Sequence, residues 1–378
     1  MEINLKTLKD VDVKDKIVML RTDYNVPIID GVIVNDFRIR ESLPTIKYLL
    51  NNQVKRIIII SHLKEPKGYD PSLSLKIVHE KLQEILNMKI DFLDLEKLIE
   101  MKERIVLLEN IRFWKEKEND EELAKYLSSF ADIYVFDAFS VAHRKHTTTH
   151  ALMKFLPSYA GFLVEKEVTN LLKIFNSEKP LIAILGGAKI STKLGTIKSL
   201  YSLADKIILG GAMVFTILKA MNIEIGKSLY EPELVEKIMQ DYYKIKDKLI
   251  LPVDYVVAYN EFSEPHISNT IQENEIGYDI GPKTLDLIKN IINEAKTVVW
   301  NGPMGLFENQ KFENGTKELV KILENFNGIK IVGGGETVDA IEKWSSFDKF
   351  THVSTAGGAM LQFIENPFLP GLEGLIKR

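Results

Sequence analysis

Short apolar runs rich in Ile, Val and Leu alternate with longer amphipathic stretches along the chain. In the first half these runs are KIVML, RIIIIS, RIVLLEN and DIYVFDA. Buried parallel strands joined by helices produce this alternation, because helices cover both faces of such a sheet. The pattern restarts after residue 175 with LIAILGG, KIILGGA, TVVWNGP and KIVGGG. The sequence therefore predicts an α/β fold with a parallel sheet in each half.

The length of 378 residues also favours two domains, because one domain usually holds ~100–200 residues. We predict a first domain over 1–158, a connecting segment over 159–175 and a second domain over 176–365. The connecting segment has the pattern of a helix from about Ala160 to Phe175, although a crossover helix inside one domain is an alternative. The Pro- and Gly-broken segment 366–378 is expected to dock on the first domain.

Composition and charge narrow the class of protein. A hydrophobic fraction of 45% and a charged fraction of 27% are usual for a globular protein with a sizeable core. Lys and Arg are interspersed with Asp and Glu and the net charge is −4, which argues against nucleic acid as a partner. The chain has no cysteine, no secretory signal pattern and no apolar run of membrane-spanning length. These features predict a cytoplasmic protein without disulfides or a membrane partner.

The residues that follow the predicted strands point to two anion sites. Ligands of open α/β sheets bind outside the carboxyl ends of the strands. In the first half, His62 and Arg112 follow such runs, as do His143 and Arg144. In the second half the runs end in glycines. The sequence therefore predicts one cationic site and one glycine-lined site.

The cationic site gains members from the beginning of the chain. Asp23 and Asn25, in RTDYNVP, could bind hydroxyl groups and the neighbouring cations, and Arg38 follows in NDFRIR. Together with the residues after the later strands, this set suits a small ligand that carries both phosphate and carboxylate. Any one of these arginines alone would more often be a surface ion-pair residue.

Glycine-rich turns predict phosphate contacts in the second half. In GGAKISTK, over 186–193, the glycine amides and a helix N-terminus would face an anion, with Lys189 and Lys193 on one face. In GGGETVDA, over 333–340, Glu336 lies where a Mg²⁺ that bridges phosphates would need a carboxylate. A packing role for the glycines, and a helix-dipole role for Glu336, are the alternatives.

A third turn, WNGPMGLFE over 300–308, could supply a flat surface for a base or ribose, with Glu308 accepting hydrogen bonds from ribose hydroxyls. Glycine turns at successive strand ends of one domain favour a nucleotide site over isolated structural turns. The predicted glycine, proline and polar members of this site are Gly210, Gly211, Asn301, Pro303, Gly333, Gly334, Gly335 and Thr337.

Two other classes of site are disfavoured. His143, His146 and His150 have spacings that zinc sites use, but no catalytic glutamate accompanies them. A dinucleotide-dependent dehydrogenase would be expected to carry G-x-G-x-x-G, which does not occur in the sequence.

Eight motifs occur in the order of one known family: RTDYNVP, SHL with Pro66, LLENIRF, DAF with AHR, GGAK, WNGPMG, GGGET and HVST with its glycines. The chain resembles the phosphoglycerate kinase family over essentially its full length. The resemblance implies two Rossmann-like, doubly wound parallel-sheet domains joined by a helix. It also implies a monomer that closes to bring together 3-phosphoglycerate or 1,3-bisphosphoglycerate, on the first domain, and Mg²⁺ with ADP or ATP, on the second.

The resemblance further implies roles for individual residues. The catalytic residues would be Arg38 and Lys189. The substrate-binding residues would be Asp23, Asn25, Arg38, His62, Arg112 and Arg144, and the nucleotide side would include Lys193, Asn301, Glu308, Glu336 and Thr337, with Glu336 at the metal. Phosphoryl transfer between a carboxylate and a nucleotide needs no general base, because the carboxylate is already ionised near pH 7.

The sequence departs from the family's usual pattern in four places. Lys64 and Glu65 replace Gly-Arg after SHL, Glu336 replaces an aspartate, Thr192 replaces a common aspartate, and Ala356 replaces a glycine after HVST. These departures leave open a catalytically weak homologue that acts as an interaction protein.

Glu65 is the sharpest of these departures, because a carboxylate beside a bound phosphate is repulsive. We expect it to be tolerated only if Lys64 or Lys67 pairs with it or replaces the lost arginine. The alternative is that it points to solvent.

Overall fold

The computed structural model describes residues 2–377, which form two compact units. The first unit contains residues 2–169 and 368–377, and the second contains residues 170–367. The division lies at Thr169 and Asn170, whereas the sequence suggested boundaries at 158 and 176.

The first unit is built on one parallel sheet. Its strands are β1 (Ile17–Arg21), β2 (Ile28–Ile29), β3 (Val32–Ile33), β4 (Arg56–Ile60), β5 (Asp91–Leu93), β6 (Ile105–Leu108), β7 (Ile133–Phe136) and β8 (Ser158–Ala160). Six of these pair in parallel in the order β5-β6-β4-β1-β7-β8, while β2 and β3 form an antiparallel hairpin. The strand order reverses between β1 and β7, so the carboxyl ends near this point form the expected ligand crevice.

Helices of the first unit bury apolar faces against this sheet. They are α1 (Phe37–Asn51), α2 (Lys76–Leu86), α3 (Glu121–Ser128) and the part of α4 (Phe162–Phe175) that precedes Asn170. In α1, for example, Ile39, Ile46 and Leu49 recur at helical spacing and lie in the core with strand residues such as Ile57 and Val135.

The helix α4 begins at Phe162 rather than near Ala160. The residues just before it pair with β7 as strand β8, which delays the start of the helix. Oδ1 of the buried Asp137 then accepts hydrogen bonds from the first-turn amides of Leu163 and Val164, at 2.9 and 3.2 Å. A side-chain acceptor of this kind satisfies amides that have no partner within the helix.

The second unit contains a parallel sheet and a small antiparallel sheet. Its strands are β9 (Leu181–Leu185), β10 (Lys206–Leu209), β11 (Leu249–Ile250), β12 (Tyr255–Ala258), β13 (His266–Ser268), β14 (Ile276–Ile280), β15 (Thr297–Asn301), β16 (Ile329–Gly333) and β17 (His352–Ser354). The parallel order is β11-β10-β9-β15-β16-β17, and β13-β12-β14 are antiparallel. Counted along the chain, the parallel strands have the order 3-2-1-4-5-6 of dinucleotide-binding folds, with the switch point between β9 and β15.

Helices cover the second sheet as well. They are α5 (Leu194–Leu203), α6 (Met213–Ala220), α7 (Val235–Ile245), α8 (Pro282–Asn293), α9 (Asn314–Glu324), α10 (Gly335–Trp344) and α11 (Gly357–Glu365). The buried Trp300 of β15 packs in one cluster with Ile184, Val332 and helix residues such as Leu319. The predicted α/β class with two parallel sheets is confirmed.

The C-terminal segment pairs with the N-terminal segment of the first unit. It contains the short helix α12 (Pro370–Glu373). The amide of Lys6 donates to the carbonyl of Leu375 at 2.7 Å, and the amide of Lys377 donates to the carbonyl of Asn4 at 2.8 Å. Across residues 2–377, none of the helices combines the length and the apolar character that crossing a membrane requires.

Candidate active site

The predicted cationic residues meet at the carboxyl edge of the first sheet. Asp23 follows β1, His62 follows β4, and Arg112 lies in a 3-10 turn (Ile111–Phe113) after β6. Arg38 reaches the same edge from the first turn of α1. Because β1, β4 and β6 are neighbours in a parallel sheet, residues from distant parts of the chain converge here.

Asp23 holds the centre of this edge. Its Oδ2 accepts hydrogen bonds from Arg38 Nη1 and Ser140 Oγ, and its Oδ1 accepts one from the amide of Asn25 at 2.9 Å. Burial alone would raise the pKa of Asp23, but the Arg38 guanidinium and these donors hold that pKa below its usual range. Asp23 is therefore a charged group that fixes the direction of Arg38.

His62 lies beside Asp23 as a buried, neutral ring. Its Nε2 is 4.0 Å from Asp23 Oδ1. Burial lowers the pKa of His62 well below its usual value, and the charges of Arg21, Arg112 and Arg38 oppose the attraction of Asp23. The ring is therefore available to donate or accept a hydrogen bond at pH 7, but not as a cation.

The prediction that Lys64 or Lys67 would pair with Glu65 is wrong. Its Oε1 lies 2.7 Å from Nη1 of the buried Arg112, and its Oε2 lies 2.5 Å from Lys117 Nζ. Burial would raise the pKa of Glu65, but Lys117 and Arg112 lower it below its usual value. The partners of Glu65 are therefore Arg112 and Lys117 rather than Lys64 or Lys67. Although its side chain is 62% exposed, these two ion pairs keep it from simply extending into solvent.

The backbone at Lys64 also reflects the missing glycine. Lys64 has φ of +55°, a left-handed conformation that costs a side-chain-bearing residue ~1–2 kcal/mol. Its amide donates to Asn25 Oδ1 at 2.9 Å, and its carbonyl accepts from Arg112 Nη1 at 2.6 Å. These two hydrogen bonds hold the turn that presents Glu65.

Arg144 and the nearby histidines border the same cluster. Burial, with the charge of Arg144, lowers the pKa of His143 to about 4, and burial with Arg112 does the same for His146. His150 instead has Glu373 3.5 Å from its Nε2. Among residues 2–377, no group of three or more His, Cys, Asp and Glu side chains is arranged to hold a metal ion.

Close packing between glycine turns shapes the edge of the second sheet. Gly302, after β15, has φ of +94°, and a Cβ there would lie 2.3 Å from the Gly186 carbonyl oxygen. The amide of Gly187, after β9, donates to the carbonyl of Pro303 at 2.9 Å. Only glycine permits both the left-handed backbone and this approach at residue 302. The two turns therefore form one surface at the switch point.

Lys193 and Asn301 lie under this surface. Lys193 Nζ donates to Asn301 Oδ1, and Asn301 Nδ2 donates to the carbonyl of Gly333 at 2.7 Å. Thr337 Oγ1 accepts the amide of Gly302 at 2.8 Å, which joins the turn after β15 to α10. Burial lowers the pKa of Lys193 to about 8. The site therefore contains a largely desolvated ammonium group that an anion would stabilise.

Two adjoining clefts open at these turns. The first, about 820 Å³ with its open mouth included, has an apolar floor and is lined by residues that include Gly187, Gly211, Phe215, Leu229, Tyr255, Tyr278, Pro303 and Glu308. The second, about 700 Å³, is more polar and is lined by residues that include Lys193, Asn301, Gly334, Gly335, Glu336, Thr337 and Gly357. An apolar cleft beside a glycine-lined cleft suits a base and its phosphates.

Two of the three predicted charged residues, Glu308 and Glu336, line these clefts, whereas Lys189 is not among the described residues that line them. Lys189 is exposed in the turn after β9, and its carbonyl accepts from Thr192 Oγ1 at 2.9 Å. Glu336 lies in the first turn of α10, and burial together with the charge of Glu308 raises its pKa. A cation between these two carboxylates would therefore be favoured electrostatically.

Two of the predicted glycines, Gly210 and Gly333, are closely packed against methionine side chains. Among residues 2–377, those that line the two clefts do not include Gly210 or Gly333. A Cβ at Gly210 would meet Met304 at 2.2 Å, and one at Gly333 would meet Met360 at 2.3 Å, so both glycines allow close packing below the surface. Ala356 replaces a glycine without strain, because its φ is −100°.

Sequence reasoning also missed the apolar wall of the first cleft. This wall includes Phe215 on α6 and Tyr255 and Tyr278 on the antiparallel strands. Aromatic residues in such elements resemble ordinary core residues, so their sequence pattern contains no signal for a ligand. The antiparallel sheet that carries two of them was not predicted.

The two sheet edges define an α/β enzyme of the phosphotransferase class, with a cationic site and a glycine-lined site. The sequence model for phosphoglycerate kinase matches residues 8–366. The chain is 43% identical over 397 residues to phosphoglycerate kinase of Finegoldia magna, covering 100% of each chain. It is 45% identical over 383 residues to phosphoglycerate kinase of Dictyoglomus turgidum, covering 97% of this chain and 96% of the relative.

A solved structure agrees with these sequence relatives. The structure of phosphoglycerate kinase from Coxiella burnetii superposes with a TM-score of 0.89 at 36% identity, over 98% of both chains. The chain belongs to the phosphoglycerate kinase family. The family reaction is the reversible transfer of a phosphoryl group between 1,3-bisphosphoglycerate and ADP, giving 3-phosphoglycerate and ATP, so its acceptor in the reverse direction is a carboxyl group.

Proposed function

We propose that this chain carries out the family reaction with the cationic cluster as its phosphoglycerate site and the two clefts as its nucleotide site. The observation that carries this proposal is the convergence of Asp23, Arg38, His62 and Arg112 at one sheet edge. These side chains offer fixed donors and positive charge to a small ligand with a phosphate at one end and a carboxylate at the other.

Each side chain of the cluster has a role that follows from its chemistry. Arg112 and Arg144 supply charge for the substrate phosphate, since guanidinium groups bind phosphate through paired donors. Arg38 and His62 donate toward the carboxylate or acyl phosphate. Asn25, whose Oδ1 accepts the amide of Lys64, contributes with Asp23 to the surroundings of the substrate hydroxyl.

The nucleotide roles follow from the lining of the clefts. The base lies in the apolar cleft, and Glu308 at its mouth accepts hydrogen bonds from the ribose. Lys193, Asn301 and the amides at the beginning of α10 meet the phosphates in the polar cleft. Thr337 also supports this surface through its hydrogen bond with Gly302.

The donor set fits Mg²⁺ that arrives with the nucleotide. Mg²⁺ usually binds through one or two carboxylates together with substrate phosphates and several waters. Glu336 supplies a carboxylate to the phosphate cleft, with Glu308 in the adjoining cleft, and burial together with the charge of Glu308 raises the pKa of Glu336. When bound, the metal neutralises phosphate charge, and Glu336 would hold it.

The chemical step needs alignment and charge neutralisation only. The carboxylate nucleophile of 3-phosphoglycerate is ionised near pH 7, so no side chain has to remove a proton. Arg38 would neutralise charge on the substrate side, and Lys189 would follow the moving phosphoryl group. Transfer is direct and in line, with water excluded once both ligands are in place.

A coupled turnover assay tests this function. ATP and 3-phosphoglycerate are supplied with Mg²⁺, and ADP formation is followed. We expect ADP only when both substrates are present, and a large loss of rate when Mg²⁺ is chelated. ADP formation that is independent of 3-phosphoglycerate would contradict the proposal.

A catalytically weak homologue is the second candidate. It is favoured by one observation, the carboxylate of Glu65 on Arg112 where the substrate phosphate would bind. The same assay separates the two candidates, because a protein whose site is blocked by Glu65 would show no turnover at millimolar 3-phosphoglycerate.

The two proposed anion sites belong to separate units, and direct transfer requires the two ligands to meet. We predict that the protein is more compact with both ligands than with either alone. Small-angle X-ray scattering measures this directly as the radius of gyration. A ternary complex with the radius of the free protein would rule out closure as part of the mechanism.

A second prediction concerns Lys193, whose pKa burial lowers to about 8. A bound phosphate favours the charged ammonium and raises that pKa, so ATP binding takes up a proton wherever free Lys193 is neutral. Affinity for ATP should therefore be complete below pH 8 and fall as pH rises above it, by up to about tenfold per pH unit.

Calorimetric titration of ATP across this pH range measures the effect. Lys193→Arg is the matched control, because a guanidinium stays charged throughout and should remove the slope. The same slope in both proteins would show that another group is responsible.

The remaining features predicted from the sequence are also part of this proposal. The protein acts as a monomer in the cytoplasm, and its partners are the two substrates rather than nucleic acid or membrane. The interspersed charges and the absence of cysteine support these assignments.

A further inference from the structure

Arg21, the last residue of β1, is fully buried behind the cationic cluster and has no role in the mechanism above. Its Nε donates to Thr148 Oγ1 at 2.7 Å, and its Nη1 donates to the carbonyl of Thr22. Its Nη2 lies 3.2 Å from His62 Nδ1. Three different nitrogens of one guanidinium are therefore held in fixed directions.

A second buried charge keeps this guanidinium in place. Glu116 is fully buried, and its Oε1 lies 3.7 Å from Arg21 Nη2. The carboxylate also accepts hydrogen bonds from the amide and hydroxyl of Thr148, at 2.9 and 2.7 Å. Burial raises the pKa of Glu116, while Arg21 and the Thr148 donors oppose this. Arg21 thus has a nearby counter-charge and little freedom to turn away from His62.

The chemistry of the Arg21–His62 contact decides where the histidine proton lies. A guanidinium has N–H donors only and does not lose its proton in proteins. Its partner, Nδ1, must therefore accept the hydrogen bond through a lone pair. A neutral imidazole that accepts at one nitrogen carries its proton on the other.

We propose that Arg21 is a positioning residue that fixes His62 as the neutral tautomer with its proton on Nε2. His62 then presents a permanent N–H donor to the edge of the sheet where Asp23 lies 4.0 Å away. This inference rests on the proposed function at one point only, namely that the substrate accepts the hydrogen bond from His62 Nε2. His62 thus binds substrate without exchanging a proton with it.

The charged groups around His62 agree with a ring that stays neutral. Arg21 faces it from β1, Arg38 from α1 and Arg112 from the turn after β6, while Asp23 opposes them. Burial and the three arginines together lower the pKa of His62 well below its usual value. The donor should therefore persist through the pH range in which an ordinary histidine, with a pKa of about 6.5, would titrate.

Nitrogen NMR of the free protein tests the assignment without any substrate. The protein is labelled with ¹⁵N-histidine, and the His62 signals are identified by their loss in His62→Gln. We expect a pyridine-like Nδ1 and a pyrrole-like Nε2 that do not titrate between about pH 5.5 and 8. A proton on Nδ1, or a titration within this range, would overturn the proposal.

A double variant tests the role of Arg21. Arg21→Met with Glu116→Gln removes the donor and its counter-charge together, so no buried charge is left alone. We expect His62 in this variant to titrate or to populate both tautomers. At each pH, the KM for 3-phosphoglycerate of the double variant is divided by that of the wild type. This KM ratio should change about threefold or more between pH 5.5 and 8.

Arg104→Met is the matched control, because Arg104 donates to the carbonyls of Val54 and Leu50, away from the cluster. Its KM ratio should not vary with pH. An unchanged His62 tautomer and a flat KM ratio in the double variant would show that Arg21 does not set the proton. If the double variant fails to fold, the wild-type spectrum alone decides the tautomer.

The outcomes also separate this inference from the proposed function. The tautomer is read in the free protein, whereas turnover is read with both substrates. The expected spectrum together with absent turnover would support the tautomer and contradict the proposed function.

Discussion

Replacing Lys189 with alanine is expected to lower kcat by about 100-fold or more while leaving the affinity for ATP nearly unchanged. Lys189 is exposed at the turn after β9, and its carbonyl is held by Thr192 Oγ1. A cation that meets the phosphoryl group only as it moves acts mainly on the transition state, so its loss affects the rate rather than binding. Steady-state kinetics and calorimetric titration of ATP separate the two effects.

Lys198→Ala is the matched control for this experiment. Lys198 is an exposed lysine of α5 that pairs with Asp241 at 2.8 Å, and its removal takes the same charge from the second unit. An exposed ion pair of this kind contributes only ~0–1 kcal/mol, so kcat should hardly change. If Lys189→Ala also keeps kcat within about twofold of wild type, the role given to Lys189 is wrong.

Replacing Glu65 with arginine is expected to lower the KM for 3-phosphoglycerate by on the order of tenfold, with little change in the KM for ATP. In the wild type, the Glu65 carboxylate pairs with Lys117 and with Arg112, which is part of the proposed phosphate site. The substrate must displace it, whereas an arginine would free both cations and add a third. Glu65→Gln should give an intermediate KM, because it removes only the competing charge.

Titration of each substrate in steady state measures both KM values. Glu84→Arg serves as the control, because Glu84 is an exposed carboxylate of α2 that pairs with Lys81 at 3.2 Å. The same charge change there should leave both KM values near wild type. An unchanged or higher KM for 3-phosphoglycerate in Glu65→Arg would mean that this position does not compete with the ligand.

Much of the fold could be predicted because buried parallel strands are apolar on both faces. The runs before His62 and Arg112 become β4 and β6, and those before the glycine turns become β9, β10, β15 and β16. The antiparallel sheet was not predicted, since β13 is a strand of three residues, the first two of them exposed, without a continuous apolar run. The start of α4 was misjudged because β8 has only three residues.

Less of the candidate site could be predicted, because its partners come together only through packing. The position of Glu65 was noted from the sequence, but its contact with Lys117 depends on the turns after β4 and β6 lying side by side. Arg21 is similar: within RTDYNVP it is one charged residue at the end of a strand. Its orientation toward His62 requires Glu116 and Thr148 from two later segments.

The central claim is that phosphoglycerate binds at the cationic cluster and nucleotide binds at the glycine-lined clefts. Two variants test it together by calorimetry, Arg112→Ala in the first unit and Lys193→Ala in the second. Each is titrated with 3-phosphoglycerate and, separately, with ATP and Mg²⁺. Circular dichroism confirms beforehand that both variants are folded.

We predict that Arg112→Ala weakens binding of 3-phosphoglycerate by about tenfold or more and leaves ATP binding unchanged, because it removes a charged donor from one site only. Lys193→Ala should do the reverse. The division of the ligands between the two sites would be contradicted if both variants lost binding of the same ligand. It would also be contradicted if Arg112→Ala bound 3-phosphoglycerate normally.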